Sequence, residues 1–383
     1  MKVSTFLKKY TMILALVIVF IFFTVLTNGK LLYAQNVSNL LLQNAYVLIM
    51  ACGMLLCILT GGNVDLSVGS TLCLSAALSA KLLSIGVPAG VAILVSLLVA
   101  AVIGVWQGWL IGYVHIPPFI CTLAGMFLFR GFARVILSSK TIAVMNESFL
   151  NLFTSYIQPE GSEGPYNSAI VVGVIIAVCL LVFKFYSIGK QKKSGYMNSS
   201  PVGQIVKTLI IDAVIIAYTV LLSQYKGIPV MLIWILVVVV IFAFLTSSTV
   251  FGRYFYAVGG NEKATKLSGI DPRKVYFVAY FLMSFLAGFS GLLVGARIGS
   301  VDGNMGNSYE MDAIASCFIG GASAYGGSGT VPGVMVGAIL LGVINQGMSI
   351  YGLPDQWQYV VKGGVLLAAV VFDVVSNHKT GKS

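Results

Sequence analysis

The sequence predicts an all-α, polytopic integral membrane protein with about 10–12 membrane segments. Of its 383 residues, 58% are hydrophobic and only 9% are charged, whereas soluble domains carry about 25% charged residues. The mean hydropathy is +0.95. Apolar runs close to the length that crosses a bilayer, roughly 20 residues, recur along the chain. This composition excludes an ordinary water-soluble globular fold.

The candidate membrane spans are defined by these apolar runs. They lie near 11–27, 43–60, 66–86, 89–113, 118–137, 168–186, 207–225, 229–246, 275–295, 311–325, 331–350 and 356–375. The run 311–325 is short and interrupted by glycine, which predicts a broken or re-entrant helix. The run 11–27 follows several lysines, but it is long for a signal peptide and more spans follow, so we expect an uncleaved first helix.

The charges in the loops predict the orientation, because cytoplasmic loops carry an excess of Lys and Arg. With the N-terminus inside, the cytoplasmic cations are Lys184, Lys190, Lys192, Lys193, Lys207, Arg253, Lys263, Lys266, Arg273, Lys274, Lys379 and Lys382. The external side receives Glu147, Glu160, Glu163, Asp302, Glu310 and Asp355, with few cations (Lys30, Lys140, Lys226 and Arg297). The net charge of +11 therefore faces the cytoplasm and requires no nucleic-acid partner.

This orientation predicts one transmembrane domain, 1–383, surrounded by membrane lipid, with both termini in the cytoplasm. We expect an external loop over 138–167, a cytoplasmic linker over 187–206 and a second cytoplasmic loop over 247–274.

The loop 247–274 contains the pattern of a short, well-capped helix. Asn261 is a good N-cap, because its side chain can accept from free backbone N–H groups. Glu262 then lies near the positive end of the helix dipole and Lys266 near the negative end. Gly269 can adopt the left-handed conformation that stops a helix. The residue pattern alone fits a docking site for a soluble partner and an ordinary connector equally well.

Two further signals delimit this helix. Gly259 and Gly260 precede it and predict a sharp turn of the backbone. Asp271 and Pro272 follow it, and they predict the N-cap and first position of the next helix.

Four motifs in order resemble the ribose/xylose-type family of ABC sugar-importer permeases. The first is GGNVDLSVGS over 61–70, and the second extends from Pro117 to Gly131. The third is the loop segment GRYFYAVGGNEKATKLSG over 252–269, and the fourth extends from Glu310 to Thr330. The resemblance reaches from the N-terminus to about Asp373. The chain length and the added segment near 187–228 are most similar to the multiple-monosaccharide and xylose permeases.

The resemblance implies a non-catalytic permease subunit in the bacterial plasma or inner membrane. It implies a homodimer that imports a monosaccharide, a pentose or a hexose, from an external sugar-binding protein. A separate ATPase subunit would bind ATP and Mg, and we expect no cofactor on this chain. The residues that the resemblance assigns to ATPase coupling are Gly252, Arg253, Gly259, Gly260, Asn261, Glu262, Lys263, Ala264, Lys266, Leu267 and Gly269.

Asp65 is the most informative charged residue, because an ionisable group near a membrane span is costly unless it is paired or wet. It lies in a glycine-rich break between two predicted spans. Asp65 can cap a helix that begins at Leu66, or it can line a substrate path. We favour the cap and keep the path as the alternative.

Other polar side chains are also candidates for a substrate path. Amides both donate and accept hydrogen bonds, so they can bind sugar hydroxyls, but they can equally bridge neighbouring helices. The full set of candidates is Asn63, Asp65, Ser67, Gln107, Glu310, Asp312, Asn345 and Gln346. Arg130 and Arg134 lie four residues apart near the outer end of a span, and we expect both to extend to the membrane interface.

Two other function classes are compatible with parts of this sequence pattern. An ion-coupled secondary transporter also uses broken helices, and the glycine-rich stretches 61–69 and 320–329 would suit one. A membrane-embedded enzyme would need a nucleophile–base pair or metal ligands. The six cysteines are scattered in apolar stretches and the histidines number two, so we predict no catalytic or metal-binding residues. The terminal Gly381-Lys382-Ser383 resembles the end of a P-loop but lacks the required preceding glycine.

Overall fold

The computed structural model describes residues 3–157, 167–193 and 201–379. Its α-helices are α1 Val3–Leu26, α2 Ala34–Leu59, α3 Val68–Ser84, α4 Ala89–Gly112, α5 Pro118–Leu137, α6 Glu147–Thr154, α7 Asn167–Lys193, α8 Pro201–Ser223, α9 Val230–Ser248, α10 Val250–Gly260, α11 Glu262–Leu267, α12 Pro272–Ile298, α13 Tyr309–Ile319, α14 Val331–Tyr351 and α15 Asp355–Lys379. The acidic positions Glu160 and Glu163, the linker residues 194–200 and Gly381–Ser383 lie outside the described residues.

Within the described residues, the strands are two residues long and form two antiparallel pairs. Strand β1, Ile142–Ala143, pairs with β4, Ser300–Val301, so that Ile142 faces Val301. Strand β2, Tyr156–Ile157, pairs with β3, Ile228–Pro229.

Every predicted apolar run contains a helix. Within the described residues, eight helices are long and apolar enough to cross a membrane, and two shorter apolar helices accompany them. The eight are Ala34–Leu59, Ala89–Gly112, Pro118–Leu137, Ser168–Gln191, Pro201–Ser223, Val230–Ser248, Pro272–Ile298 and Val331–Tyr351. These helices confirm the prediction of an all-α, polytopic membrane protein.

Two helices form inside stretches that the sequence analysis treated as loops. Helix α6 lies within 138–167 and is amphipathic, with Phe149 and Phe153 buried on one face. Helix α10 lies within 247–274 and begins where the Thr249 side chain accepts from the backbone N–H of Gly252. Both segments are short, so their apolar residues gave too weak a periodic signal to be recognised as helices.

The chain divides into two compact units. Unit 1 contains Met1–Leu31, Leu40–Thr154 and Met231–Ser383, and unit 2 contains Leu32–Asn39 and Ser155–Val230. In unit 2, α7 and α8 pack closely where Gly173 faces Thr219. In unit 1, residues 45–59 of α2 are all buried and form the centre of the hydrophobic core.

Helices α4 and α12 of unit 1 pack antiparallel through a row of glycines. A Cβ atom at Gly104 would lie 2.8 Å from the backbone of Phe281, and one at Gly108 would lie 2.6 Å from the carbonyl oxygen of Phe277. One turn further along α4, a Cβ at Gly112 would lie 2.6 Å from the carbonyl oxygen of Arg273, one turn earlier on α12. Small residues four apart allow such close approach of membrane helices. The row fixes Gln107, on the neighbouring position of α4, inside the bundle.

Candidate functional site

Helix α3 begins inside unit 1 rather than at its edge. Gly291 of α12 packs on the backbone of Leu72, and Gly295 lies close to the side chain of Ala76. These parallel contacts put the first residue of α3, Val68, beside the middle of α12. The segment 60–67 therefore runs into the bundle as irregular backbone, which is tolerated at membrane depth where protein surrounds it. The predicted glycine-rich break is thus a broken helix.

The N-terminal end of α13 meets the N-terminal end of α3. A Cβ at Gly69 would lie 2.3 Å from the carbonyl oxygen of Gly306, and one at Gly306 would lie 2.6 Å from that of Gly69. The carboxylate of Glu310, in the first turn of α13, lies 2.5 Å from the same Cβ position at Gly69. Both ends carry positive partial charge, so a carboxylate between them is favourable.

Helix α13 is the half-helix that the short run 311–325 predicted, although it ends at Ile319. Its 11 residues span only about 16 Å at the α-helical rise, which is less than the roughly 30 Å hydrocarbon core. Gly321, with φ of +87°, adopts the left-handed conformation directly after it.

A buried hydrogen-bond chain connects the start of α3 with α4 and α12. Asp65 accepts at Oδ1 from the backbone N–H of Ser67 at 2.8 Å and from its hydroxyl at 2.6 Å. The amide of Gln107 donates to the Ser67 hydroxyl at 2.8 Å, and Ser284 donates to the Gln107 carbonyl oxygen at 3.1 Å. All four side chains are buried. Helix α3 begins at Val68 rather than at Leu66, and its N-cap position is Ser67. Asp65 therefore holds the turn just before the helix through Ser67, and Gln107 bridges helices.

Only one of the two carboxylate oxygens of Asp65 accepts hydrogen bonds in this conformation. Its second oxygen, Oδ2, is buried and has no hydrogen-bond partner among the described residues. The hydroxyl of Tyr280 on α12 is likewise buried without a partner in that part of the chain.

Asp312 belongs to a different cluster. Its carboxylate accepts from the hydroxyl of Tyr46 on α2 at 2.7 Å and pairs with the ammonium of Lys362 on α15 at 3.1 Å. The ring of Tyr46 stacks on Tyr309 with centroids 3.8 Å apart. Lys362 was not among the predicted site residues, although a lysine within the apolar run 356–375 is a signal of a functional or paired group.

The remaining path candidates lie apart from these clusters. Asn63 lines a cleft of about 210 Å³ that is also lined by His115, Glu262 and Tyr276. Asn345 is partly buried and Gln346 is buried, both on α14. The candidates therefore form several groups: the chain through Asp65, Ser67 and Gln107, the helix ends at Glu310, the pair at Asp312, the cleft at Asn63 and the amides of α14.

Arg130 and Arg134 both contact the segment before α13, and the expectation that they extend to the membrane interface stays a prediction. Arg130 donates to the carbonyl oxygens of Met305 and Gly303. Arg134 donates to the side-chain oxygen of Asn304 at 3.1 Å. The segment before α13 is irregular, and the Arg130 guanidinium supplies donors to two of its backbone carbonyls.

Helix α11 is the short, capped helix that the sequence predicted between Asn261 and Gly269. The Asn261 side chain accepts from the backbone N–H of Ala264 at 2.9 Å and caps it. Thr265 is buried, and its hydroxyl lies 2.8 Å from the carbonyl oxygens of Ala257 and Asn261. Leu267 is 89% exposed. The other exposed side chains on α11 are Glu262, Lys263, Ala264 and Lys266.

Of the glycines around α11, the two that precede it differ from the expectation and Gly269 agrees with it. Gly259 and Gly260 do not form a turn but end α10 in helical conformation, without a positive φ. Gly259 is required by close packing instead, because a Cβ there would lie 1.8 Å from the carbonyl oxygen of Leu59. Gly260 faces open space. Gly269 has the expected positive φ, +85°.

The flanking positions complete this region. Gly252 packs on the backbone at the end of α9, where a Cβ would lie 1.8 Å from the carbonyl oxygen of Leu245, and Arg253 is exposed. Asp271 caps α12 by accepting from the backbone N–H of Arg273 at 3.1 Å. The hydrogen bond from the Arg273 side chain lowers the pKa of Asp271, so this carboxyl stays ionised at neutral pH.

These features define a multi-pass helical membrane protein whose described residues include two interrupted helical segments and an exposed short helix between two spans. Residues 36–370 match the model of the family described as branched-chain amino acid transport system / permease component, and the chain belongs to this family.

Among curated relatives, the chain is 33% identical over 377 residues to the xylose transport system permease protein XylH of Haemophilus influenzae, covering 98% of both chains. It is 32% identical over 375 residues to XylH of Escherichia coli K12, covering 98% of this chain and 93% of the relative. It is 32% identical over 340 residues to the ribose import permease protein RbsC of E. coli K12, covering 88% and 85%. No solved structure matches the chain.

The comparisons confirm the predicted resemblance to ribose- and xylose-type permeases. They favour a permease component over the ion-coupled transporter that was kept as the alternative. The chain is therefore a multi-pass protein of the bacterial inner membrane, and its family contains permease components rather than catalytic subunits.

Proposed function

We propose that this chain is the permease subunit of an ATP-binding-cassette importer that moves a monosaccharide into the cytoplasm. The similarity to xylose and ribose permeases over nearly the whole chain supports a pentose first and a hexose second. The proposed partners are a separate ATPase subunit that binds ATP and Mg, an external sugar-binding protein and a second copy of this chain.

The exposed face of α11 is the observation that carries the coupling part of the proposal. Leu267 is an almost fully exposed apolar side chain outside the predicted membrane spans, where burial against a protein partner would be favourable. Lys263 and Lys266 are exposed beside it and can form charge-assisted contacts with acidic groups. The buried hydroxyl of Thr265 anchors the helix, so a force on its exposed face moves the helix as a unit.

The proposed substrate path uses the polar groups near the broken helices. Amide and carboxylate groups can bind sugar hydroxyls, and discontinuous helices at membrane depth commonly border transport sites. Asp65, Ser67 and Gln107 are joined by hydrogen bonds through the Ser67 hydroxyl, so in this conformation they hold the start of α3. Asn63, which lines an open cleft, is the candidate accessible to sugar from the cytoplasm.

Two substitutions on the exposed side of this region test the coupling role. Ala264→Trp and Gly260→Val add bulk where the structure has free space. We expect both to reduce ATPase co-purification or ATP-dependent uptake in proteoliposomes. The matched control is Gly189→Val on α7, since Gly189 also has no neighbouring atom within 4 Å.

The outcomes separate the parts of the proposal. Normal ATPase binding together with normal uptake in both variants would refute the assignment of α11 as the docking helix. Concentrative sugar uptake by the purified chain alone, driven by an ion gradient, would refute the importer itself. Sugar delivered by the external binding protein should still be recognised in both variants, because that partner engages the opposite side of the membrane.

A further inference from the structure

The connections that lead into α3 and out of α13 pack directly on each other. The backbone N–H of Gly327 donates to the carbonyl oxygen of Leu59 at 3.0 Å. A Cβ at Gly62 would lie 1.9 Å from the carbonyl oxygen of Ala324, and one at Gly326 would lie 2.5 Å from the Cα of Gly61. Segments 59–62 and 324–327 therefore touch backbone to backbone, with no side chain between them.

The C-terminal end of α10 completes this contact. A Cβ at Gly259 would lie 1.8 Å from the carbonyl oxygen of Leu59 and 2.6 Å from the nitrogen of Gly327. One turn earlier, the hydroxyl of Tyr256 donates to the carbonyl oxygen of Gly329 at 3.0 Å. We call the five residues Gly61, Gly62, Gly259, Gly326 and Gly327 the glycine junction.

The geometry of the junction requires glycine for two separate reasons. Gly61, Gly62, Gly326 and Gly327 have φ values of +120°, +75°, +85° and +67°, a region that side-chain-bearing residues rarely adopt. Gly259 is helical and needs only the close approach. The chain thus brings three segments into contact at the distance of bare backbones.

Such a contact transmits displacement well. Close-packed protein interiors have low compressibility and pass strain to their neighbours. Helix α11 begins at Glu262, directly after α10, so a movement of α11 displaces Gly259. That displacement acts on segment 59–62, which leads into α3, and on segment 324–327, which follows α13. The N-terminal end of α3, into which segment 59–62 leads, also meets the N-terminal end of α13 where Gly69 packs on Gly306.

We infer that Gly259 is a positioning residue for transport: through the glycine junction it passes the movement of α11 to both broken helices at once. This inference rests on the proposed function, in which α11 receives the ATPase. The inference names the contact through which ATPase docking would move the membrane helices α3 and α13. That contact is between backbones and does not depend on a side chain.

The test uses the complete importer, reconstituted from this chain with the ATPase that co-purifies with it and the external binding protein. Gly259→Ala introduces the forbidden Cβ, and Tyr256→Phe removes only a hydroxyl at the same contact. The matched control is Gly90→Ala on α4, where no atom lies within 4 Å of the added Cβ. The readouts are membrane insertion, ATPase co-purification, the rate of ATP hydrolysis and sugar taken up per ATP hydrolysed.

We expect Gly259→Ala to insert and bind the ATPase while the sugar transported per ATP falls about tenfold or more, since small misplacements far from the reacting site can have effects of this size. Tyr256→Phe should lower the same ratio to a smaller extent, and Gly90→Ala should leave it unchanged. A transport ratio for both variants equal to that of the unmodified chain would overturn the inference.

Two other results are equally decisive. If Gly259→Ala fails to insert, Tyr256→Phe decides: a lowered amount of sugar transported per ATP supports the inference, and an unchanged amount overturns it. If Gly259→Ala inserts but loses the ATPase, Gly259 belongs to the docking surface and the transmitting role is wrong. Failure of the proposed function gives a different result, because no ATPase would then co-purify with the unmodified chain.

Discussion

The ammonium of Lys362 lies 3.1 Å from the carboxylate of Asp312, which also accepts from the hydroxyl of Tyr46 at 2.7 Å. This group joins α15, α13 and α2, so the half-helix α13 is attached to two longer helices through one carboxylate. Asp312 is 2% exposed. Removing one partner of such a buried ion pair is destabilising, because the other charge is then buried without compensation.

Removing the lysine should therefore destabilise the fold. We expect Lys362→Met to lower the free energy of unfolding in mixed micelles by about 3 kcal/mol, the lower end of the range for buried pairs, because Lys362 is partly exposed. The double variant Asp312→Asn with Lys362→Met should recover much of that loss, since no charge then remains buried. Equal stability of the single variant and the unmodified chain would contradict a stabilising role for the pair.

The packing of α4 on α12 makes a second prediction. Gly108→Ala puts a methyl group 2.6 Å from the carbonyl oxygen of Phe277, so the helices must move apart. We expect a loss of about 1–3 kcal/mol in the free energy of unfolding, as for other overpacked sites. Gly90→Ala on the same helix has free space and should be neutral or slightly stabilising. If the two variants unfold alike, the close approach is not a determinant of stability.

Substitutions of Asp65 can distinguish a structural role at the start of α3 from a role in the substrate path. Asp65→Asn keeps an oxygen that can accept from Ser67, so we expect a stability loss of about 1 kcal/mol or less and nearly normal uptake. Asp65→Ala leaves the buried N–H of Ser67 without its acceptor and should cost about 1–3 kcal/mol. Both are measured by unfolding in mixed micelles and by uptake in proteoliposomes. A stable, ATPase-bound but inactive Asp65→Asn would establish the path role instead.

The orientation of the chain can be tested by single-cysteine labelling in a background without the six native cysteines. Met145 is 82% exposed in the predicted external loop, and Ser268 is exposed at the end of α11. A membrane-impermeant thiol reagent added outside should label Met145→Cys, and the same reagent should reach Ser268→Cys only from the cytoplasmic side. The charge distribution across the loops is the physical reason. Labelling of Met145→Cys from the cytoplasmic side alone would invert the predicted topology.

Much of the fold followed from local properties of the sequence. Apolar length predicted the helices, because each helix must satisfy its own backbone within the membrane. The caps at Asn261 and Asp271 were also predictable, since a cap depends on residues only a few positions away. The short helices α6 and α10 were not predicted, because each has too few turns to give a clear periodic pattern of apolar residues.

The sequence by itself therefore determined a polytopic helical membrane protein, its family resemblance and the capped short helix α11. Only the tertiary structure decided that α3 and α13 meet at Gly69 and Gly306, that Lys362 pairs with Asp312, and that Gly259 packs on Leu59 instead of forming a turn. Each of these relationships joins residues far apart in the chain. A glycine looks the same in sequence whether it serves a turn or a close approach, and only the position of the neighbouring backbone distinguishes the two.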